Sequence, residues 1–282
     1  MYQFFLFCLL FFLLSHSIDS DAEVDASNHL ELDLISLYNP LGLSLSAKGF
    51  YRKVYRYDKS EIWDGLYYQT GFQINVNPAF SRAGFHFEVM PIAVLQLRLQ
   101  YDRLQFSGQH GSLLSFSSSE DLFGDNELEN REGDEESGYA DRRLFQLIFR
   151  AQFANTIIRN VTDFSFYKFQ GAGPYYLERE HEILMAADDD VVFNKLFLLF
   201  KTDFDDVRGS RYFGPYHEHM KVNQSGLIQE RVGLTWFQEY NARLGILIKP
   251  RWYLQLGSYL KDQNREGEVY LIFGIGGDVA GL

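Results

Sequence analysis

The stretch GFHFEVMPIAVLQLRLQY (84–101) puts Phe85, Phe87, Val89, Ala93, Leu95, Leu97, Leu99 and Tyr101 on odd positions. His86, Glu88, Gln96, Arg98 and Gln100 fall between them. Side chains of an extended chain alternate between two faces, so this ribbon is apolar on one face and polar on the other. A second ribbon, ARLGILIKPRWYLQLGSYLK (242–261), repeats the pattern on even positions from Leu244 to Leu256. Each ribbon contains a proline, Pro91 or Pro250. A two-residue hairpin at either one flips the parity, because residues paired across it are three apart. The parity holds. Each proline therefore lies in one continuous, locally bulged strand or in a three-residue turn, and the single strand is favoured.

Period two recurs along most of the chain. Leu41 to Ala47, Tyr68 to Val76, Phe145 to Phe153, Ile228 to Trp236 and Val269 to Ile275 all alternate. With both proline ribbons kept whole, the pattern gives an all-β, antiparallel protein of about ten strands. They run near 41–56, 66–77, 82–106, 142–155, 160–169, 175–187, 191–202, 226–240, 242–261 and 268–279. Splitting both ribbons gives twelve as the alternative. The segment 175–187 is the weakest strand, because Arg179 and His181 share its apolar face. Long loops are expected near 107–141 and 203–225. Residues 18–40 read as an N-terminal tail, with an optional short strand over Leu30 to Leu37.

The N-terminus is unbroken apolar from Phe4 to Leu14. That matches a secretory hydrophobic region of about 7–15 residues and falls short of the roughly 20 that span a bilayer as a helix. Residues 1–17 are expected to be a signal peptide, cleaved between 17 and 26. Cys8, the one cysteine, lies inside it. The mature chain then carries no disulfide. No later apolar run is long enough for a membrane helix, so a membrane is met with strands.

Many strands look longer than the usual 5–6 residues of soluble sheets and near the 9–11 of a tilted membrane strand. The face opposite the apolar one carries Lys48, Arg52, His86, Glu88, Arg98, Asp102, Arg150 and Arg231. A charged face on a membrane strand belongs in a lumen. A secreted soluble barrel or sandwich is the alternative, since it alternates too. The net charge of −12 argues against a nucleic-acid partner, which needs a basic patch.

Signal segment, missing cysteines, acidic charge, ten-residue alternation and unequal loops together resemble a bacterial outer-membrane β-barrel. The resemblance spans 41–282 and is architectural. It implies a bacterial outer-membrane location, short periplasmic turns and long extracellular loops. It also implies contact with the lipid bilayer and lipopolysaccharide, and with the barrel assembly machinery. That machinery commonly reads a C-terminal aromatic residue; this chain ends GIGGDVAGL, a departure from the pattern.

A barrel of this size has a narrow interior, since about eight strands are filled by side chains. His86, Glu88, Arg98, Asp102, Arg150, Arg231 and Lys249 are expected to line it as a charge network. The function implied is a structural barrel or a passive pore for a small solute. Two alternatives remain. Asp205, His217 and His219 suit a rim hydrolase, similar to the omptin barrel proteases in composition only, or to the lipase barrels. The acidic stretch between Ser119 and Asp141 suits surface adhesion, although a solvated, disordered loop is the simpler expectation. No metal site and no cofactor is expected.

Overall fold

The computed structural model describes residues 26–39, 42–56, 65–109, 112–171, 173–203 and 209–279. Twelve antiparallel strands form the wall. The first six are β1 (Ala26–Tyr38), β2 (Gly42–Arg56), β3 (Leu66–Val76), β4 (Phe80–Ile92), β5 (Leu95–Ser107) and β7 (Ser137–Phe153). The second six are β8 (Thr156–Gln170), β11 (Asp188–Asp203), β12 (Ser210–Val222), β13 (Ile228–Glu239), β15 (Leu247–Lys261) and β16 (Val269–Val279). Each pairs with the next, and β1 pairs with β16, so the sheet closes on itself without an edge. Wall strands run from 11 residues in β3 to 17 in β7, enough to cross a bilayer at a tilt. Among the described residues no helix is long and apolar enough to do so.

The outward face is apolar. Leu34, Leu45, Phe72, Phe85, Phe149, Phe166, Leu198, Leu234 and Leu256 all stand exposed on it. The inward face carries the buried charged residues of the mid-wall, among them Glu88, Asp102, Arg142 and Glu218, so the polar side of the period-two pattern is the lumen.

Twelve strands replace the ten expected, and four local differences account for the change. The Pro91 ribbon is two strands, joined at Ala93–Val94, with Ile92 paired to Leu95. That two-residue turn flips the parity, and a bulge between Val89 and Ile92 flips it back. The two reversals cancel. Residues 26–38 form a full wall strand where a tail with an optional short strand was expected. Most of the expected loop 203–225 is β12. Residues 175–187 are not in the wall at all. The Pro250 ribbon is one strand only from Leu247 onward, with a bulge between Ile248 and Arg251 against β16; before it the two-residue β14 (Arg243–Leu244) turns back at Gly245–Ile246 and pairs with Ile248 and Leu247.

The two longest connections, 108–136 and 171–187, emerge at the same end of the barrel, opposite the end where β1 starts and β16 stops. Neither hangs free. The first contains β6 (Ser115–Phe116) and a short helix, α1 (Asp125–Glu129). The second contains the hairpin β9 (Tyr175–Glu178) and β10 (Ile183–Ala186). β6, β9 and β10 make a separate three-stranded sheet. One side of it packs Tyr176, Ile183 and Met185 against Phe106, Phe169 and Met220 of the wall's inner face. The other side packs Leu177 and Leu184 against Leu114, Phe116 and Phe123. The acidic connection is thus a folded cap, not the disordered loop its composition suggests. Leu113, Leu114, Phe116 and Phe123 bury, whereas Leu122 and acids such as Glu120, Glu129 and Glu132 stay exposed. Gln263 in the β15–β16 connection donates to the Ser119 and Asp121 carbonyls and ties the cap down.

Candidate functional site: a stoppered lumen

The barrel interior is organised as rows of charge that follow the strand register. Glu88 of β4 stands opposite Arg98 of β5. It accepts from Arg98 Nε at 2.8 Å and from the Tyr67 hydroxyl at 2.7 Å. Asp102 of β5 stands opposite Arg142 of β7 and accepts its Nε and Nη2 at 2.9 and 2.6 Å. Gln100 Nε2 donates to the same carboxylate at 2.7 Å. Across the lumen Glu218 of β12 lies between Lys195 of β11 and Arg231 of β13, pairing with both. Arg231 also lies over the Tyr270 ring, 4.9 Å from its centroid. These are charge-assisted contacts between groups largely removed from water, where each charge needs its partner.

Into this interior dips the tip of the β9–β10 hairpin. Glu180 Oε2 accepts from Arg82 Nη1 of β4 at 2.6 Å and from Arg142 Nη1 of β7 at 3.2 Å. Burial alone raises the Glu180 pKa; the two guanidiniums outweigh it and hold the carboxyl well below the usual range. Glu178, fully buried, accepts the backbone N–H groups of Glu180 and His181 at 3.1 and 2.8 Å, and lies 3.0 Å from His181 Nδ1. Burial alone lowers the His181 pKa; the Glu178 hydrogen bond and the Glu178 and Glu180 charges outweigh it and raise it. Glu182 pairs with Arg265 of the β15–β16 connection, and Arg265 Nε donates to Asn39 Oδ1 at 2.9 Å. The hairpin is therefore seated on apolar contacts above and on ion pairs to the wall below.

Next to the tip lies a cavity of about 190 Å³. Arg82, Arg98, Arg142 and His181 line it, with Asp163 and Glu180 as its acids and Gln73, Gln100 and Gln146 as amides. Glu178, Glu180 and His181 also bring ligand atoms within 4.8 Å of one another. As a metal site this trio is compromised: Glu180 is held by two arginines, and Glu178 by His181 and two backbone donors.

The residues singled out from sequence fall in different places. Glu88, Arg98, Asp102 and Arg231 face the lumen and are ion-paired there. His86 is buried on the same face, with neither ring nitrogen hydrogen-bonded and its ring edge-on to Phe50 at 6.4 Å. Arg150 lies by the β4–β5 turn, donating to the Ala93 carbonyl at 3.3 Å rather than to a carboxylate. Lys249 sits in the Pro250 bulge at positive φ, with its side chain exposed, and lines nothing. His217 and His219 share a face, but it is the outward one, because Tyr216, Glu218 and Met220 take the inward positions of β12. His219 Nδ1 meets Glu230 Oε1 at 3.1 Å on that outer surface. Asp205 lies outside the described residues, in the connection at the opposite end of β12. His219 is roughly 30 Å from Ser210, where that connection ends, at about 3.3 Å per strand residue.

Several central residues were not anticipated. Arg142 was within reach, since it shares the inward parity of Gln146 and Arg150. Lys195 was hidden in an apolar run, VVFNKLFLLF, that shows no clean alternation. Glu178, Glu180 and His181 lay in the stretch whose charges made it the poorest strand, and that misfit was the signal.

No family model and no curated protein matches the chain. Among solved structures it is similar to the beta domain of the Bordetella autotransporter Brka, at 10% identity and a TM-score of 0.40, covering 92% of this chain and 100% of that one. It is similar to LpxR from Salmonella typhimurium at 11% identity and a TM-score of 0.38, covering 89% and 99%. It is similar to the KdgM porin at 5% identity and a TM-score of 0.36, covering 88% and 97%. These are likenesses of overall course and carry nothing about activity. On its own closed wall, apolar exterior and charged lumen, the chain is a β-barrel of the outer-membrane type.

Proposed function

We propose that the protein is a bacterial outer-membrane barrel that stands closed, a small-solute pathway stoppered by its own β9–β10 hairpin. In this reading the 108–136 and 171–187 connections face the cell exterior, and the end where β1 starts faces the periplasm. One observation carries it: the hairpin tip lies inside the lumen, with Glu180 bound to arginines of two wall strands. Twelve strands enclose more room than the eight that side chains alone fill, and here the hairpin takes up the difference. A purely structural barrel has no need of a stopper built from a separate loop. The outward position of His217 and His219 gives a rim hydrolase no support.

Conductance across planar bilayers tests the reading. Wild-type protein is expected to show little steady current, and a variant with 175–186 replaced by a Gly-Ser linker is expected to show a large one. Equal, steady currents from both would overturn it.

A further inference from the structure

Arg142 is oriented by its own wall, through Asp102 and the Tyr167 hydroxyl, independently of its contact with the hairpin. Its Nε and Nη2 are fixed by Asp102 on the neighbouring strand, which leaves Nη1 pointing to where Glu180 binds. Arg82, on β4, brings Nη1 to the same carboxylate oxygen. Its Nε is buried without a hydrogen-bond acceptor, so half of its fork is unused. The wall thus presents two guanidinium groups, one preorganised, converging on a single oxyanion position. The adjoining cavity is also lined by Arg98, which is paired with Glu88, by three glutamines that donate to Asp102 and Asp163, and by Asp163 itself, so the two converging guanidiniums are the site's anion-binding groups. Its volume, about 190 Å³, equals the share of roughly six waters in the liquid. Guanidinium forks of this kind match the planar geometry of carboxylates and the oxygens of phosphates.

We propose that Arg82 and Arg142 form a binding site for a small oxyanionic solute, carboxylate- or phosphate-bearing, and that Glu180 occupies this site as an internal stand-in. The inference rests on the closed-barrel reading and adds what moves the stopper. Solute and hairpin compete for the same two arginines. A tethered ligand acts at an effective concentration in the millimolar range, so a free anion must reach comparable levels or bind better to displace it. A neutral or cationic solute has no differential affinity for the vacated arginines and shifts nothing. The barrel is thereby selective at its gate.

The test uses full-length protein in detergent micelles, titrated calorimetrically with citrate and, separately, with inorganic phosphate, against chloride at matched ionic strength. The Glu180→Gln variant keeps the hairpin but removes its charge. It is expected to bind one of the two anions at least tenfold more tightly than wild type. Adding Arg82→Gln to it is expected to abolish that gain. Preference for citrate identifies a carboxylate site, and preference for phosphate a phosphate site; either upholds the proposal. Equal binding by wild type and Glu180→Gln, or undiminished binding by the double variant, overturns it. Bilayer currents without added anion judge closure separately. If wild type conducts freely while citrate follows the expected order, closure is refuted and the anion site stands. If wild type is closed but Glu180→Gln gains no binding, the anion site is refuted and closure stands.

Discussion

Glu218 stands directly opposite Arg231 on the neighbouring strand, with their charged groups 2.6 Å apart, and directly opposite Lys195 on the other side. One buried carboxylate therefore bridges two cations in a row across three wall strands. Removing it leaves both uncompensated. Glu218→Ala is expected to destabilise the barrel by about 3–5 kcal/mol, the usual cost of breaking a buried pair. Lys195→Met together with Glu218→Leu removes one charge of each sign and is expected to cost less. Urea unfolding in lipid vesicles, followed by tryptophan fluorescence, measures both. A Glu218→Ala loss below that of the double variant would contradict this account.

Leu184 is fully buried in the small sheet, against residues of both long connections. Leu184→Ala is expected to loosen the stopper by about 2–5 kcal/mol, as buried leucine truncations do. The wall shares little of that contact. Protease cleavage within 171–187 should therefore rise, while the unboiled variant is expected to run at a different gel mobility from the boiled one, as a closed barrel that resists detergent does. Loss of the mobility shift would show instead that the cap and wall fold as one unit.

His181 gives the seat a pH dependence. It faces Glu178 and Glu180, with Arg231 as the opposing charge. Its pKa is raised in the seated state. Its contribution is therefore complete below the ordinary histidine value near 6.5 and is lost as the pH rises through the higher seated value. The closed state should be firmest in mild acid and leak more in the alkaline direction. His181→Gln should flatten that slope. If wild type and variant open with the same pH profile, another group governs the seat.

Leu234 lies mid-strand on the outer face and is 64% exposed. Leu234→Arg should cost about 2–4 kcal/mol in a bilayer, the range for a basic residue at the midplane of a membrane barrel. Equilibrium folding into phosphatidylcholine vesicles checks this. No loss would mean that this face does not meet lipid.

The parity of the strands was legible because an apolar exterior and a charged interior enforce it residue by residue. Glu88, Arg98 and Asp102 could be placed in the lumen from spacing alone. The strand count was not legible where two reversals of parity cancel, as at Val89–Ile92 and Ala93–Val94. β12 escaped notice because neither of its faces is simple. Its outward positions include Pro215, His217 and His219, and its inward ones Tyr216 and Glu218. It also contains Gly214, where a Cβ atom would fall 1.9 Å from the Leu198 carbonyl oxygen. There the close approach of two backbones, not turn formation, selects glycine. The stopper was invisible for a different reason. Its partners, Arg82, Arg142 and Arg265, are far from Glu180 and Glu182 in sequence, and no local pattern announces a hairpin that binds the inside of its own wall.

Closure of the wall joins Glu31–Tyr38 to Leu271–Asp278, nearly the whole chain apart. Every other wall pair joins strands much closer in sequence, so the sheet can grow neighbour by neighbour, but the last seam waits for β16. Until then the sheet has two raw edges, β1 and the last strand in place, each with a row of unpaired amides. A chain halted before residue 269 is therefore an open ribbon, prone to pair with another of its kind. The wall is therefore sealed by its first and last strands together, and neither edge is covered unless both are in place.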